Sequence, residues 1–455
     1  MDLVYLLPAF MFLALAALLF SGFPVAWVLG GVGIGFGFIG MHYDVFEFIY
    51  FFNVISRIWG TAAENLILVA VPMFIFMGTM LERSGVANDL LHCLQVLLRR
   101  TPGGLALSVT IMGTIMAATT GIIGASVVMM TLLALPVMLE RGYHVPLATG
   151  TIAASGTLGI LIPPSIMLVI MADLLSISVG TLFLAAILPG LLLALLYLVY
   201  IYVRTRLNPS LAPPLPDTIG PESQYELFIM VLRSFVPPIL LIVFVLGSIF
   251  AGWATPTEAA GVGALGAILL AVMNRKLSYG VLKDVLTRSA LTIGMIFGIF
   301  IGATCFSYVY RVLGGDDVVH NLIMNIGLGD WGLLFLMMGM VFLLGFFFDW
   351  IEITLIVLPL FAPIMKLMDF GVHIPYPVDI VPWIAILLAV NLQTSFLTPP
   401  FGFALFYMKG VAPPHVKMQQ IYRGIIPFVT LQLIGLGFVI GFPQLALWLP
   451  HVLLD

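Results

Sequence analysis

The chain has 455 residues, of which 62% are hydrophobic and only 8% are charged, and its formal net charge is −4 at pH 7. A soluble domain carries about 25% charged residues, so this composition excludes an ordinary soluble protein and indicates an all-α polytopic membrane protein. The chain lacks a basic stripe, and nucleic acid is therefore not an expected partner.

Apolar runs long enough to cross a bilayer recur along the whole chain. They fall at about 3–20, 22–41, 66–82, 181–203, 226–252, 256–273 and 289–312, with a last one near 422–448. The first residues carry no positive region and no small-residue cleavage site. The first run is therefore interpreted as a transmembrane helix and not as a removable signal.

Two proline pairs interrupt long apolar segments. Pro163-Pro164 follows Thr157-Leu-Gly-Ile-Leu-Ile, and Pro399-Pro400 lies within Gln393-Thr-Ser-Phe-Leu-Thr-Pro-Pro-Phe-Gly402. Each pair removes two backbone donors, so neither helix is expected to run through unbroken. Broken backbone at membrane depth is tolerated only where it is buried in protein or lines a cavity. Such interruptions in two halves of a chain point to a midplane binding site, the alternative being kinks that serve packing alone.

The chain divides into two halves with the same order of segments, around a Pro-rich linker at 207–224 that is expected to be cytoplasmic. The first repeat, 1–206, comprises scaffold helices 1–84, an arm 86–100, a hairpin 104–140, a broken helix 146–175 and a helix 181–206. The second, 225–455, comprises scaffold helices 226–273, an arm 278–288, a helix 289–312, a hairpin 331–368, a broken helix 382–409 and a helix 422–448. This internal repeat predicts inverted topology with two re-entrant hairpins and two discontinuous helices.

The distribution of Lys and Arg predicts the orientation. With both hairpins entering and leaving on one side, 14 of the 17 cations fall on one face. They are Arg83, Arg99, Arg100, Arg141, Arg204, Arg206, Arg233, Arg275, Lys276, Lys283, Arg288, Lys409, Lys417 and Arg423. Only Arg57, Arg311 and Lys366 fall on the other face. The rich face is therefore predicted to be cytoplasmic, and the N and C termini periplasmic.

Several separated motifs resemble one transporter family. They are Ala153-Ala-Ser-Gly-Thr-Leu-Gly159 with Ile162-Pro-Pro-Ser165, then Leu188-Pro-Gly190, Thr255-Pro-Thr-Glu-Ala-Ala260 and Leu397-Thr-Pro-Pro-Phe-Gly402. In this order they resemble the large, DctM-like membrane subunit of tripartite ATP-independent periplasmic (TRAP) transporters, over nearly the whole chain. Asp349-Trp-Ile-Glu-Ile-Thr-Leu355 resembles the mannitol/chloroaromatic branch.

The resemblance implies an ion-transporter-like elevator fold and Na+-coupled uptake of a small organic acid, usually a carboxylate. It implies a multi-pass protein of the bacterial inner membrane. The partners it implies are a small four-helix membrane subunit and a periplasmic substrate-binding protein.

Oxygen ligands for Na+ are expected where unwound helices free their carbonyls. One ion is predicted between 121–126 and 155–163, and by repeat symmetry a second between 349–354 and 391–398. The predicted Na+ ligands are Gly121, Gly124, Ser126, Ser155, Gly156, Thr157, Pro163, Asp349, Thr354, Asn391, Thr394, Thr398 and Pro399. A substrate carboxylate is predicted between the hairpin tips. Its predicted contacts are Ser126, Pro164, Ser165, Glu352, Thr354, Pro400 and Gly402.

Acidic residues in apolar surroundings leave two interpretations open. Asp349 and Glu352 lie three residues apart, on one face of a helix. Because carboxylates at membrane depth are costly, function is the default interpretation, the alternative being helix capping at a solvated tip. Glu258 is expected to cap a helix with Thr255. Asp173 is open between function and structure.

Three other function classes are less consistent with the sequence. A stand-alone dicarboxylate or ion carrier of the same inverted architecture would work without a binding protein. An intramembrane enzyme would need a convergent nucleophile and base, but the seven histidines fall in loops or arms. A channel would need a filter-like segment, which is not found. The protein is therefore predicted to be a transporter and not an enzyme, and the sequence does not name its substrate.

Overall fold

The computed structural model describes residues 3–120, 123–216, 220–221, 223–318, 321, 327–399 and 402–454. All regular structure within these ranges is helical. Eight helices of the described residues are long and apolar enough to cross a membrane.

The first half contains ten α-helices among its described residues. They are α1 (Leu7–Leu19), α2 (Val25–His42), α3 (Tyr50–Ile58), α4 (Ala70–Arg83), α5 (Val86–Leu97), α6 (Gly104–Thr120), α7 (Ile123–Glu140), α8 (Val145–Thr157), α9 (Ile166–Leu175) and α10 (Val179–Leu207). A π turn, Trp59–Ala63, continues α3. The segment between α2 and α4 therefore holds a helix that the apolar pattern did not predict.

The second half follows after the linker. Its described α-helices are α11 (Gln224–Phe250), α12 (Pro256–Met273), α13 (Tyr279–Val312), α14 (Asp330–Leu344), α15 (Trp350–Met365), α16 (Pro377–Leu397), α17 (Phe403–Val411), α18 (Met418–Gly441) and α19 (Gln444–Leu454).

Two predicted boundaries in the second half need correction. The arm at 278–288 and the span at 289–312 form the single helix α13. Neither Pro nor Gly separates them, and Arg288 Nε donates to Asp284 Oδ1 at 3.0 Å, one turn back along the same helix. The last span, predicted at 422–448, is two helices, because Pro443 lies at the break between α18 and α19 and cannot continue the helix.

Helices from the two halves pair with each other at the periphery. Helix α2 packs along α13, and α4 packs along α12. The start of α12 is held by a capping box: Thr255 Oγ1 accepts from the Glu258 N–H, and Glu258 Oε2 accepts from the Thr255 N–H at 2.8 Å. The Thr257 hydroxyl donates to the Leu66 carbonyl at 2.7 Å. The predicted capping role of Glu258 is thus observed, and it fixes α12 against the segment before α4.

The central linker is packed against the first half over its described residues. The Gly103 N–H donates to the Ala212 carbonyl at 3.0 Å, and the Leu215 N–H donates to the Arg99 carbonyl at 2.8 Å. Ala212 is fully buried. These contacts tie the linker to the ends of α5 and α6.

The broken helices form the centre of the molecule. In α16 the most apolar 18-residue window is entirely buried, whereas the corresponding window in α11 is only 22% buried. All of 158–172 is buried as well. Side chains that face lipid in a peripheral helix face protein here, so Pro163 and Pro164 are surrounded by protein and Pro399 is partly buried.

Candidate ion and substrate site

The first interruption separates α8 from α9. Helix α8 ends at Thr157, one 3₁₀ turn follows at Leu158–Ile160, and regular structure resumes at Ile166. The Ser165 hydroxyl donates to the Ile160 carbonyl at 2.6 Å across the break. Because this hydroxyl is used within the connection, the N-terminus of α9 has no side-chain cap.

The second interruption separates α16 from α17. Helix α16 ends at Leu397, and α17 begins at Phe403 after Gly402, whose φ is +45°. Because that conformation lies in the region that favours glycine, Gly402 allows the chain to turn here. Glycine has no side chain, so α17 also begins without a side-chain cap.

The first hairpin, α6 and α7, packs against both interrupted helices. A Cβ at Gly156 of α8 would lie 2.6 Å from Val127 Cγ2 and 3.2 Å from Val127 Cα. A Cβ at Gly124 would lie 3.1 Å from the ring of Tyr407, which belongs to α17. The two glycines therefore permit close contact between the start of α7 and both broken helices. The neighbouring Ser126 is 2% exposed.

The second hairpin, α14 and α15, is arranged in the same way. Asn391 Nδ2 of α16 donates to the Met338 carbonyl of α14 at 2.7 Å. A small cavity is lined by Ile353 and Thr354 of α15, by Leu392 of α16 and by Met171 of α9. The first hairpin thus contacts α8 in its own half and α17 in the other half. The second hairpin contacts α16 in its own half and α9 in the other half.

The two acidic residues of the second hairpin form a capping box. Asp349 Oδ1 accepts from the Trp350 N–H at 2.8 Å, and Glu352 Oε2 accepts from the Asp349 N–H at 3.2 Å. The Asp349 side chain also accepts from the Glu352 N–H. The capping alternative is therefore observed, and it places two carboxylates at the N-terminus of α15.

Thr354 differs from the other buried threonines of the site. It is 1% exposed, and its Oγ1 has no hydrogen-bond partner among the described residues. By contrast, the hydroxyls of Thr394 and Thr398 donate to the carbonyls of Val390 and Thr394, at 2.8 and 2.7 Å. A buried hydroxyl without a partner costs free energy, and it is available to a ligand.

A side-chain contact joins the two broken helices. Gln393 Nε2 of α16 lies 3.5 Å from Thr157 Oγ1 of α8. Gln393, Tyr197 and Gln432 are fully buried, and the Tyr197 hydroxyl lies beside the side-chain amides of Gln393 and Gln432. These polar groups were not among the predicted site residues, since their shared location depends on how α10, α16 and α18 pack. The only sequence signal was Gln393 beside the second proline pair.

The structure describes all but two of the predicted site residues. Gly121 and Pro400 lie outside the described residues. Ser155, Gly156, Thr157, Pro163, Pro164 and Ser165 are buried at the first interruption, and Asn391, Thr394, Thr398, Pro399 and Gly402 lie at or before the second. Ser155 Oγ donates to Thr110 Oγ1 at 3.2 Å, which adds α6 to this neighbourhood.

The atoms around the interruptions that could ligate a metal ion are oxygens. No group of three or more His, Cys, Asp or Glu side chains occurs together in the described part of the chain. Carbonyls, hydroxyls and the Asp349 carboxylate are the hard ligands that alkali and alkaline-earth cations prefer. This donor set fits a small hard cation such as Na+.

Comparison with known proteins identifies the family. The profile of the tripartite ATP-independent periplasmic transporter, DctM component, matches residues 12–445. The chain belongs to this family. As a DctM-family protein it is a multi-pass membrane transporter permease and not an enzyme. The mannitol/chloroaromatic assignment stays a prediction.

Individual relatives agree with this membership. The C4-dicarboxylate TRAP transporter large permease protein DctM of Pseudomonas aeruginosa is 30% identical over 390 residues, which cover 86% of this chain and 87% of that protein. The isethionate TRAP transporter permease protein DctMQ of Oleidesulfovibrio alaskensis is 28% identical over 419 residues, covering 91% of this chain but 63% of that protein.

The fold of this DctM-family protein is shared with a solved transporter. The Alcanivorax borkumensis YdaH transporter, described as having an unusual topology, matches with a TM-score of 0.59 at 16% identity. The match covers 86% of this chain and 87% of that one. At this identity the likeness concerns the fold alone.

Proposed function

We propose that this protein carries out Na+-coupled secondary active uptake of a small organic acid across the bacterial inner membrane by an elevator movement. The observation that carries the proposal is that two helices are interrupted in the buried core and contact each other through Thr157 and Gln393. Buried, broken backbone at matching places in two halves is typical of transporter binding sites.

The Na+ ions are proposed to bind where α8 and α16 end. The last carbonyls of a helix have no partner within it, and the C-terminal end of the helix dipole favours a cation. Helix α8 ends at Thr157 beside Val127 and Ser126, and α16 ends at Leu397, three residues after Thr394 and six after Asn391. These ends supply several oxygens within the protein interior.

The substrate carboxylate is proposed to bind near the starts of α9 and α17. A helix N-terminus favours an anion, and both of these starts lack a side-chain cap. The start of α15 is different, because the carboxyl groups of Asp349 and Glu352 already form its capping box. The hydroxyls of Ser126 and Thr354, one on each hairpin, are proposed as further substrate donors.

Two partners are proposed from the family. The relative named DctMQ is longer than its match to this chain, and we propose a small four-helix membrane subunit as one partner. A periplasmic binding protein is proposed to deliver the substrate. Names of the relatives include a C4-dicarboxylate and isethionate, both small anions, which supports an organic acid as substrate.

Reconstituted uptake tests the coupling. Proteoliposomes containing the chain, its small subunit and the binding protein should accumulate labelled succinate when a Na+ gradient is imposed, and much less when choline replaces Na+. Uptake that is indifferent to the Na+ gradient would contradict Na+ coupling. Uptake at full rate without any binding protein would favour the stand-alone carrier.

The elevator movement has its own test at a contact between α9 and the segment before α4. Asn65 Nδ2 donates to Asp173 Oδ1 at 2.7 Å, and this contact has to separate if α9 moves relative to α4. In a chain with C93A and C305A, a short bismaleimide across N65C and D173C should stop uptake. The reference is the same variant before crosslinking. A crosslinked protein that transports at its uncrosslinked rate would contradict the movement.

A further inference from the structure

A polar cavity of about 340 Å³ lies between α3, α9, α13 and α15. Two arginines that are far apart in sequence, Arg57 of α3 and Arg311 of α13, both line it. Its size is within the range of small-molecule sites. It is separate from the interruptions at the proline pairs, since none of the three described prolines, Pro163, Pro164 and Pro399, lines it.

The two arginines are exceptional in their placement. In the proposed orientation only three of the 17 Lys and Arg residues face the periplasm, and two of these three line this one cavity. The third, Lys366, does not line it. The cavity therefore brings two of the three cations of this cation-poor face together.

The guanidinium of Arg57 is held in position without being neutralised. It lies 5.0 Å from the centroid of the Tyr308 ring, a cation–π contact. Asn53 Nδ2 donates to the Tyr308 hydroxyl at 3.0 Å and fixes that ring. Within the described residues no carboxylate pairs with Arg57. Its fork of N–H donors is therefore free for an anion.

Arg311 is anchored from the other side of the cavity. Its Nη2 donates to the Pro359 carbonyl of α15 at 3.1 Å, and its Nε lies 3.8 Å from Asp316 Oδ2, a distance too long for a strong hydrogen bond. One carboxylate, Asp173, also lines the cavity, but its Oδ1 already accepts from Asn65. The cavity lining thus carries more positive than negative charge.

We propose that this cavity is an entry site that binds the carboxylate of an incoming substrate before the substrate reaches the hairpin tips. A carboxylate accepts two parallel hydrogen bonds from one arginine, and the Ser307 hydroxyl in the lining provides a further donor. The hydroxyls of Thr61 and Thr304 already donate to the carbonyls of Arg57 and Phe300. The inference rests on the proposed function for its substrate class. It adds a site that needs no Na+, because cations would be repelled there.

Binding of succinate to the purified full-length chain in nanodiscs tests the site. Titrations are done in choline buffer without Na+, so that the Na+-dependent site between the hairpins does not contribute. R57Q and R311Q should each weaken succinate binding about tenfold or more, the loss expected for a charge-assisted hydrogen bond. K366Q, the matched control on the same face, should bind as wild type. R57K should be intermediate, since it keeps the charge but not the fork.

Two outcomes overturn the proposal. One is succinate affinity in choline that is unchanged in both R57Q and R311Q. The other is a rise in the thermal midpoint when the nanodisc contains phosphatidylglycerol, lost in R57Q and R311Q, while succinate has no effect on the midpoint. That result would assign the cavity to a lipid headgroup. Failure of this proposal can be told apart from failure of the proposed function. If uptake is not coupled to Na+, succinate should still bind the cavity in choline buffer.

Uptake provides a second measurement. Electrostatic capture raises association rates and weakens with ionic strength. In proteoliposomes, R57Q should therefore raise the KM for succinate at low ionic strength and leave kcat near the wild-type value. It should also lose most of the salt dependence seen in wild type. A fall in kcat at unchanged KM would contradict an entry role.

Discussion

The unpartnered hydroxyl of Thr354 gives the sharpest test of the proposed substrate site. Thr354→Val replaces the hydroxyl with a methyl group of nearly the same shape. The side chain is 1% exposed and its Oγ1 has no partner among the described residues. Without ligand, the substitution should therefore stabilise the protein by about 1 kcal/mol, the lower end of the range for relieving an unsatisfied buried polar group.

The same substitution should weaken the bound state. A hydrogen bond from a hydroxyl to a carboxylate contributes roughly 1.5–3 kcal/mol, which corresponds to an increase in KM of about 10-fold to 150-fold. T354V should thus be more stable than wild type without ligand and poorer in uptake. Thr131 is a matched control, since it is 1% exposed and its Oγ1 donates to the Val127 carbonyl at 2.6 Å. T131V should lose about 1 kcal/mol of stability and keep the wild-type KM.

Two assays separate these effects. Thermal unfolding in detergent, at one scan rate and without Na+ or succinate, should rank the midpoints T354V above wild type and wild type above T131V. Succinate uptake in proteoliposomes should show the raised KM in T354V alone. If T354V unfolds earlier than wild type and its KM is unchanged, Thr354 makes a structural contact and the substrate assignment is wrong.

Substitutions at three other positions test further local features. D349N should keep the wild-type thermal stability, because Asn caps a helix about as well as Asp, but its uptake should need higher Na+ concentrations. D349A should lose thermal stability and also need higher Na+ concentrations, and a D349N variant with the wild-type Na+ response would restrict Asp349 to capping. T255A should lower the thermal midpoint through loss of a cap contributing about 1 kcal/mol, with an unchanged KM for succinate; a changed KM would contradict its structural role. G156A should destabilise the protein by about 1–3 kcal/mol, since its Cβ would lie 2.6 Å from Val127 Cγ2. Adding V127A should recover part of the lost midpoint, and no recovery would indicate a different cause.

Backbone chemistry made the interruptions predictable. Proline lacks an N–H and glycines lie near both pairs, so Pro163-Pro164 and Pro399-Pro400 were expected to stop their helices. A proline pair alone is not sufficient, because α11 runs through Pro237-Pro238. Helix α8 ends at Thr157, six residues before its pair, and α16 ends at Leu397, two residues before its pair. The same local logic predicted the capping of α12 by Thr255 and Glu258, because an N-cap and its partner are close in sequence.

Features that depend on how helices pack against each other in the folded chain were not predictable from the sequence. The charged residues of 278–288 resemble a separate arm in sequence, but they continue into α13 because nothing local breaks that helix. The cavity containing Arg57 and Arg311 depends on α3, a helix that the apolar pattern did not predict. Glu352 and Asp349 illustrate the same limit, since capping and ligand binding predict the same residues at the same spacing.

The hydrogen bonds of the buried hydroxyls support the proposal of separate positions for Na+ and for the carboxylate. A hydroxyl has one proton to donate and two lone pairs to accept with. The hydroxyls of Thr157, Thr394 and Thr398 donate to carbonyls of their own helices. Only their lone pairs remain for a ligand, which suits Na+ and not a carboxylate.

Thr354 keeps its proton, which suits a carboxylate. In the proposed site, the same residue type would therefore serve either ligand according to where its proton is donated. A Thr→Ser substitution at 394 or 398 retains the lone pairs and should preserve the Na+ response, whereas Val at either position removes them and should weaken it. Equal Na+ responses of the Ser and Val variants would contradict the proposed separate positions, since a hydroxyl that serves only its own helix offers nothing to the ion.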